Sequence, residues 1–139
     1  MGPTSTGTTG TIALLTRLAK VVQRRTPEEL LGMSLRHFVL LSYLAERERV
    51  PQYQLAEVFC MDASNLVLLL NELEEDSLVR RDRDPDDRRR HLVEITDAGH
   101  AALAKAEDAR EDIEDHVLGP LDSDERETLR RLLIKALGG

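Results

Sequence analysis

Apolar residues recur with helical spacing through most of the chain, and the places where that period breaks outline its organisation. From Thr11 onward, Ile12, Leu15, Leu18 and Val22 fall on one face, with Arg17, Lys20 and Arg24 opposite, predicting an amphipathic helix that ends before Thr26-Pro27. Thr26-Pro27-Glu28-Glu29 then has the composition of a capping box with proline in the first turn, and Gly32 stops the short helix that follows. Ser34 caps a longer helix reaching about Arg47, in which Phe38, Leu41, Leu44 and Ala45 line one side. Pro51 starts a short helix through Leu55, Ala56 and Val58, the chain turns near Cys60-Met61, and Asp62 or Ala63 opens a helix to about Asp76. On that last helix Leu66, Leu69, Leu70 and Leu73 share the core face, which leaves Ser64, Asn65, Val67, Leu68 and Asn71 looking outward.

The period then changes. Val79 to Arg83 and His91 to Ile95 read as strands, with β-branched residues near their ends. Between them Asp84-Pro85-Asp86-Asp87 is turn chemistry, because proline fixes φ and aspartate side chains bond back to nearby amides. Thr96 caps a long alanine-rich helix to about His116, carrying Ala101, Ala104, Ile113 and Val117, and Gly119-Pro120 breaks it. Asp122 and Glu125 form a capping box for a final helix whose Leu129, Leu132, Leu133 and Leu137 make a seam. The order predicts a mainly α protein with a small β-hairpin wing, a winged helix-turn-helix between N- and C-terminal dimerisation helices. The outer helices cannot bury their seams on so small a module, whereas two copies around a two-fold axis would cover both. The expected division is a flexible Gly/Thr/Ser-rich tail at 1–10, a dimerisation helix at 11–33, the winged module at 34–95 and dimerisation helices at 96–139.

Composition narrows the chemistry. The 139 residues are enough for one domain with a real core. With 41% hydrophobic but only 3% aromatic residues, that core must be aliphatic. The net charge of −7 argues against a nucleic-acid partner when taken alone, since nonspecific affinity rests on cations displacing counterions. The charge is unevenly placed, however. Residues 80–90 hold six Arg against four Asp, while residues 50–79 contain no Lys or Arg. An arginine-tipped ribbon can set cationic forks against phosphates or place one in a minor groove. A single cysteine, Cys60, excludes an internal disulfide and a cysteine-rich metal site; at the bend it is expected to behave as a small hydrophobe. His37, His91, His100 and His116 lack metal-ligand spacing, so no metal or cofactor is expected. No glycine-rich phosphate loop and no nucleophile spaced beside a base point to an enzyme. No apolar run approaches the ~20 residues of a membrane span, and no signal peptide opens the chain, so no membrane association is expected and the cytoplasm is the expected location.

From Gly32 to Gly99 the chain resembles the MarR (multiple antibiotic resistance regulator) family of winged helix-turn-helix transcription regulators. The resemblance is carried by Met33-Ser34 before the Phe38/Leu41 helix and by Gln54-Leu55-Ala56-Glu57 in the first helix of the helix-turn-helix. It continues through Ser64-Asn65-Leu66 and Leu70-Asn71-Glu72-Leu73-Glu74 in the second helix, then Leu78-Val79-Arg80-Arg81 and Asp84-Pro85-Asp86-Asp87-Arg88-Arg89. Val93-Glu94-Ile95-Thr96-Asp97-Ala98-Gly99 closes the wing. The resemblance implies a homodimer of triangular shape on double-stranded DNA at a pseudo-palindromic operator, often as a repressor released by a small aromatic or phenolic effector. Two positions depart from the family: Leu68 stands where arginine is usual, and Ser77 where glycine is usual before the wing.

Residue roles follow as expectations. Ser64, Asn65 and Asn71 would read base edges, asparagine being able to grip adenine with both amide groups. Val67 and Leu68 would rest on thymine methyls, and Gln52 and Gln54 would hold phosphates. Arg88, Arg89 or Arg90 would enter the minor groove, Arg89 first by the resemblance, with Asp87 orienting a neighbour. An effector crevice is expected near Arg17, Val21, His37, Leu41, Tyr43 and His100, although His37 also suits a capping role and Tyr43 a half-buried packing role. The missing cation on the reading helix, together with Glu72, Glu74, Glu75 and Asp76, leaves open a protein-binding or antirepressor module of the same fold.

Overall fold

A computed structural model describes residues 9–139, so most of the tail expected at 1–10 lies outside the described residues. The chain order is α1 (Thr11–Arg25), α2 (Glu28–Leu31), α3 (Leu35–Ala45), β1 (Val50–Pro51), α4 (Gln52–Val58), α5 (Ala63–Glu75), β2 (Val79–Arg83), β3 (His91–Ile95), α6 (Asp97–Glu107), α7 (Arg110–Val117) and α8 (Ser123–Ala136). Local chemistry accounts for several helix starts. Ser34 accepts a hydrogen bond from the His37 amide, Thr96 accepts from the Gly99 amide, and Asp122 and Glu125 complete a reciprocal capping box. Thr26 does something else: its hydroxyl donates to the Val22 carbonyl and so closes α1, leaving α2 without the expected capping box.

Two compact units divide the chain, one of Glu28–Ala109 and one of the residues up to Pro27 together with Arg110–Gly139. The sequence places its boundaries at 33 and 95 instead, because periodicity does not reveal that α2 and α6 pack on the winged module. The core of the winged unit is aliphatic, as composition requires: Leu40, Leu41, Leu44, Leu55, Leu66, Leu70, Leu73, Val50 and Val93 are fully buried. Burying each such side chain stabilises the fold by roughly 1.5–3 kcal/mol relative to exposure.

The sheet is antiparallel in the order β1-β3-β2. Val79 pairs with Ile95, Arg81 with Val93 and Arg83 with His91. The third strand was not expected; Val50 and Pro51 pair with Val93 and Leu92, and two residues are too few to show an alternating pattern. The long helix expected after Thr96 is also interrupted: Asp108 and Ala109 separate α6 from α7, and Ala109 donates to the Ala106 carbonyl in a tightened turn.

The backbone of α6 meets the sheet at Gly99. A Cβ there would stand 2.2 Å from the Leu78 carbonyl oxygen and 2.6 Å from Cγ1 of Ile95, so only glycine permits this approach. In the other unit α1 packs along α7, and Arg126 of α8 ties back to the Asp115 carboxylate at 2.8 Å and the Leu121 carbonyl at 3.0 Å. That unit leaves Ile12, Leu14 and Leu15 of α1 exposed, along with Leu132, Leu133 and Ile134 of α8 and Leu137 just beyond it.

Candidate nucleic-acid interface

α4 and α5 turn through 113° across residues 59–62, the geometry of a helix-turn-helix. The turn is a Schellman closure: Met61 N–H donates to the Ala56 carbonyl, Cys60 N–H to the Glu57 carbonyl, and Cys60 takes the left-handed position at φ 51°. Cys60 is therefore an exposed turn residue rather than the small hydrophobe expected, because the left-handed bend swings it out of the core. The same closure ends α5, with Leu78 N–H on the Leu73 carbonyl, Ser77 N–H on the Glu74 carbonyl and Ser77 at φ 62°. Both bends aim α5 with its Leu66, Leu69, Leu70 and Leu73 buried.

The opposite face of α5 is available. Ser64, Asn65 and Asn71 are exposed, Val67 is half-buried, and Leu68 is 61% exposed. Each asparagine amide has one end engaged. Asn65 Nδ2 donates to an Asp62 carboxylate oxygen at 3.1 Å, and Asn71 Oδ1 accepts from Arg81 Nη2. On α4, Gln54 donates to the Tyr43 hydroxyl at 3.2 Å, and Gln52 Oε1 is buried without a hydrogen-bond partner.

The wing turn is built around Asp84, whose side chain accepts the Asp86 amide at 2.9 Å and Arg90 Nη2 at 2.8 Å. Its backbone N–H donates to the Arg90 carbonyl. The amide hydrogen bond, then the Arg90 guanidinium, hold the Asp84 carboxyl below the usual carboxylate range. Arg90 is in turn raised above its ordinary value, first by its bond to Asp84, and its guanidinium lies 5.6 Å from the Tyr53 ring centroid. The three tip arginines are thus divided. Arg90, expected with the other two to reach DNA, is paired with Asp84 while its side chain stays 41% exposed. Arg88 and Arg89 face solvent, the Arg89 side chain at 91% exposure, and Asp87 accepts both the Arg89 amide and its Nε. Arg83 Nη1 braces the tip by donating to the Arg88 carbonyl at 2.7 Å.

Arg81, absent from the expected site, joins wing to reading helix. From β2 its Nη2 reaches both Asn71 Oδ1 and Glu74 Oε1 on α5, the latter at 2.8 Å, and its side chain is 18% exposed. The signal lay in strand alternation, which puts residue 81 on the same inward face as Val79. On the other face Arg80 pairs with Glu94 and Asp82, and its guanidinium is raised by that pairing, Glu94 contributing most.

Comparison with known proteins places this geometry. A sequence model of the MarR family matches residues 33–91. The chain is 28% identical over 113 residues to transcriptional regulator HosA of Escherichia coli O111:H-, covering 81% of this chain and 84% of that protein. It superposes on a crystal structure of a "probable transcriptional regulator from Pseudomonas aeruginosa" at 30% identity and TM-score 0.73, covering 91% of this chain and 96% of that one. A mutant MarR from E. coli, crystallised in complex with operator DNA, matches at 26% identity and TM-score 0.73, with 89% and 91% coverage.

The chain belongs to the MarR family.

Ser77, where the resemblance to MarR proteins implies glycine, takes a left-handed φ of 62° just after the α5 cap, a position at which a Cβ is strained. The residues expected to line an effector crevice are divided between the two compact units. Leu41 is fully buried in the winged core, so it lines no open space, correcting that assignment. Tyr43 is committed to packing: it meets Phe59 edge-on at 5.4 Å and carries the Arg47 guanidinium 3.5 Å over its ring. His37 Nε2 lies 2.9 Å from Glu72 Oε1, tying α3 to α5. His100 is exposed beside a depression of about 560 Å³ whose other walls are Arg47, Glu48, Arg49, Glu94 and Ile95, a charged lining unlike a pocket for an aromatic ring. Arg17 and Val21 stand on α1 in the other compact unit.

Proposed function

We propose that this MarR-family chain is a DNA-binding transcription regulator, acting in the cytoplasm as a homodimer on a pseudo-palindromic operator, in most settings as a repressor. The observation that carries the reading is the division of the wing. A turn fixed internally by Asp84 and Arg90 presents Arg88 and Arg89 to solvent, on the same unit as an α5 face that leaves Ser64, Asn65 and Leu68 uncovered. The relative crystallised with operator DNA supports the same partner. With a net charge of −7, the chain attracts DNA chiefly through the cationic wing tip, which favours one docking orientation. Homodimerisation is supported by the apolar seams left open on α1 and α8, which a second copy would cover.

The test is a salt titration of binding to a duplex from upstream of the chain's own gene. If Arg88 and Arg89 each neutralise one phosphate, a dimer uses four wing cations. The double variant Arg88→Ala/Arg89→Ala should then reduce the slope of log affinity against log salt by about 3.6, at roughly 0.9 per phosphate. An unaltered slope removes the wing from the interface. One observation favours a second reading as a protein-binding module: Leu68 is 61% exposed on a helix that also carries exposed Glu72, Glu74 and Glu75. Absence of any sequence-preferring shift at low salt would select it. Titrating phenolic compounds into the same assay tests the small aromatic effector that the family leads one to expect.

A further inference from the structure

The two asparagines of α5 are held with opposite polarity by neighbours that can bond in only one sense. Asp62 at the N-cap of α5 makes no capping bond with its side chain. Its carboxylate accepts Asn65 Nδ2 at 3.1 Å instead. An ionised carboxylate has no proton to give, so this contact is possible only with the amide nitrogen of Asn65 toward Asp62 and the carbonyl Oδ1 turned away. At Asn71 the neighbour is Arg81, whose guanidinium has donors and no acceptor. Here the carbonyl must face the protein, and the NH2 is the end left over. Arg81 is itself fixed by Glu74 and by its half-buried position on β2.

We infer that Asn65 and Asn71 are not paired adenine readers but a one-sided acceptor and a one-sided donor, with Asp62 and Arg81 as the positioning residues that set this code. The inference rests on the DNA-binding reading above. In a major groove an outward carbonyl at Asn65 selects a base that offers an exocyclic amine, adenine or cytosine. An outward NH2 at Asn71 selects a base edge that offers acceptors alone, guanine through O6 and N7 or thymine through O4. Adenine is disfavoured opposite Asn71, because its N7 acceptor lies beside the N6 amine, whose protons face the outward NH2, and gripping that amine would need the carbonyl that Arg81 occupies. Leu68, exposed between the two asparagines, adds apolar contact suited to a thymine methyl.

The experiment is selection of bound sequences from a randomised duplex pool at one low salt concentration, with the full chain. The variants Asn65→Ala and Asn71→Ala locate the base pair each side chain reads, as the position whose preference disappears. Wild type should prefer adenine or cytosine at the first and guanine or thymine at the second, each by about fivefold, the worth of one net hydrogen bond. In Asp62→Asn the neighbour can donate as well as accept, so Asn65 is free to turn over and its preference should relax to near one. Arg81→Met keeps the stem but removes the donors, and should admit adenine opposite Asn71; Arg81→Lys, still a donor, should restore the wild-type preference. A merely structural role for Arg81 would lower affinity for every duplex alike and leave the preferences in place, which overturns the inference. So would a wild-type adenine opposite Asn71, or preferences indifferent to both alanine variants. Failure of wild type to retain any duplex would instead remove the DNA-binding reading itself, and this code with it.

Discussion

Gly99→Ala offers a direct test of how the wing is joined to α6. The added methyl would lie 2.2 Å from the Leu78 carbonyl oxygen and 2.6 Å from Ile95 Cγ1. The first neighbour is backbone and cannot rotate away, so α6 must retreat by more than 1 Å to reach ordinary van der Waals separation. The Leu78 carbonyl accepts the Thr96 amide at 3.0 Å, and the Thr96 hydroxyl donates to the Ser77 carbonyl at 2.6 Å while accepting the Gly99 amide at 3.0 Å. Retreat therefore breaks about two hydrogen bonds at about 1 kcal/mol each, in addition to an overpacking cost of about 1–3 kcal/mol. Alanine's better helix propensity returns about 1 kcal/mol. The expected net loss is about 2–4 kcal/mol, a large part of the roughly 5–15 kcal/mol that holds a typical domain. Urea denaturation followed by far-ultraviolet circular dichroism, at one protein concentration for both proteins, measures it. An unchanged or higher midpoint would refute the close approach of α6 to the sheet.

Three further outcomes follow from features already described. Ser77→Gly should raise the unfolding free energy measured in urea by up to about 1 kcal/mol, since it removes left-handed strain of roughly 1–2 kcal/mol and returns part of that as unfolded-chain entropy; a lower midpoint would show that the hydroxyl matters more than φ. The Asp84 carboxyl is depressed in the folded protein, so its stabilisation is present above the ordinary carboxylate pKa of about 3.9 and is lost as pH falls through the lower folded value. Wild type should therefore lose more of its thermal stability than Asp84→Asn between pH 5 and strong acid; parallel melting curves across that range would contradict the assignment. Leu132→Glu on the open α8 seam should shift the sedimenting species toward monomer and weaken operator binding, whereas an unchanged mass would place the dimer contact elsewhere.

How far the sequence could be read depended on whether the cause of a feature lay nearby in the chain. Ser34, Thr96 and the Asp122/Glu125 pair cap the helices they were expected to cap, because a cap and its amide are about three residues apart. The buried stripe on α5 was equally plain, since four leucines repeat at helical spacing. β1 was invisible because its partner strand begins some forty residues later and two residues carry no period. The break between α6 and α7 has no glycine or proline to announce it; helix propensity alone runs straight through Glu107-Asp108-Ala109-Arg110. For DNA contact, the sequence nominates residues by type and position but cannot show which of their atoms are already engaged. That Arg90 is occupied by Asp84, and the carbonyl of Asn71 by Arg81, depends on contacts across a turn and between a strand and a helix. Leu41 was misassigned for the same reason: an apolar residue on a helix can face core or crevice, and only the packing decides.

The knot of bonds about Asp84 also bears on how tightly the finger can hold a partner. A loose loop must surrender its freedom at the moment of contact, whereas this one has done so on folding, leaving only the Arg88 and Arg89 side chains to be immobilised. Loss of Asp84 would then mimic, in an affinity measurement, the loss of a cation that touches phosphate, although its own carboxylate is buried within the wing.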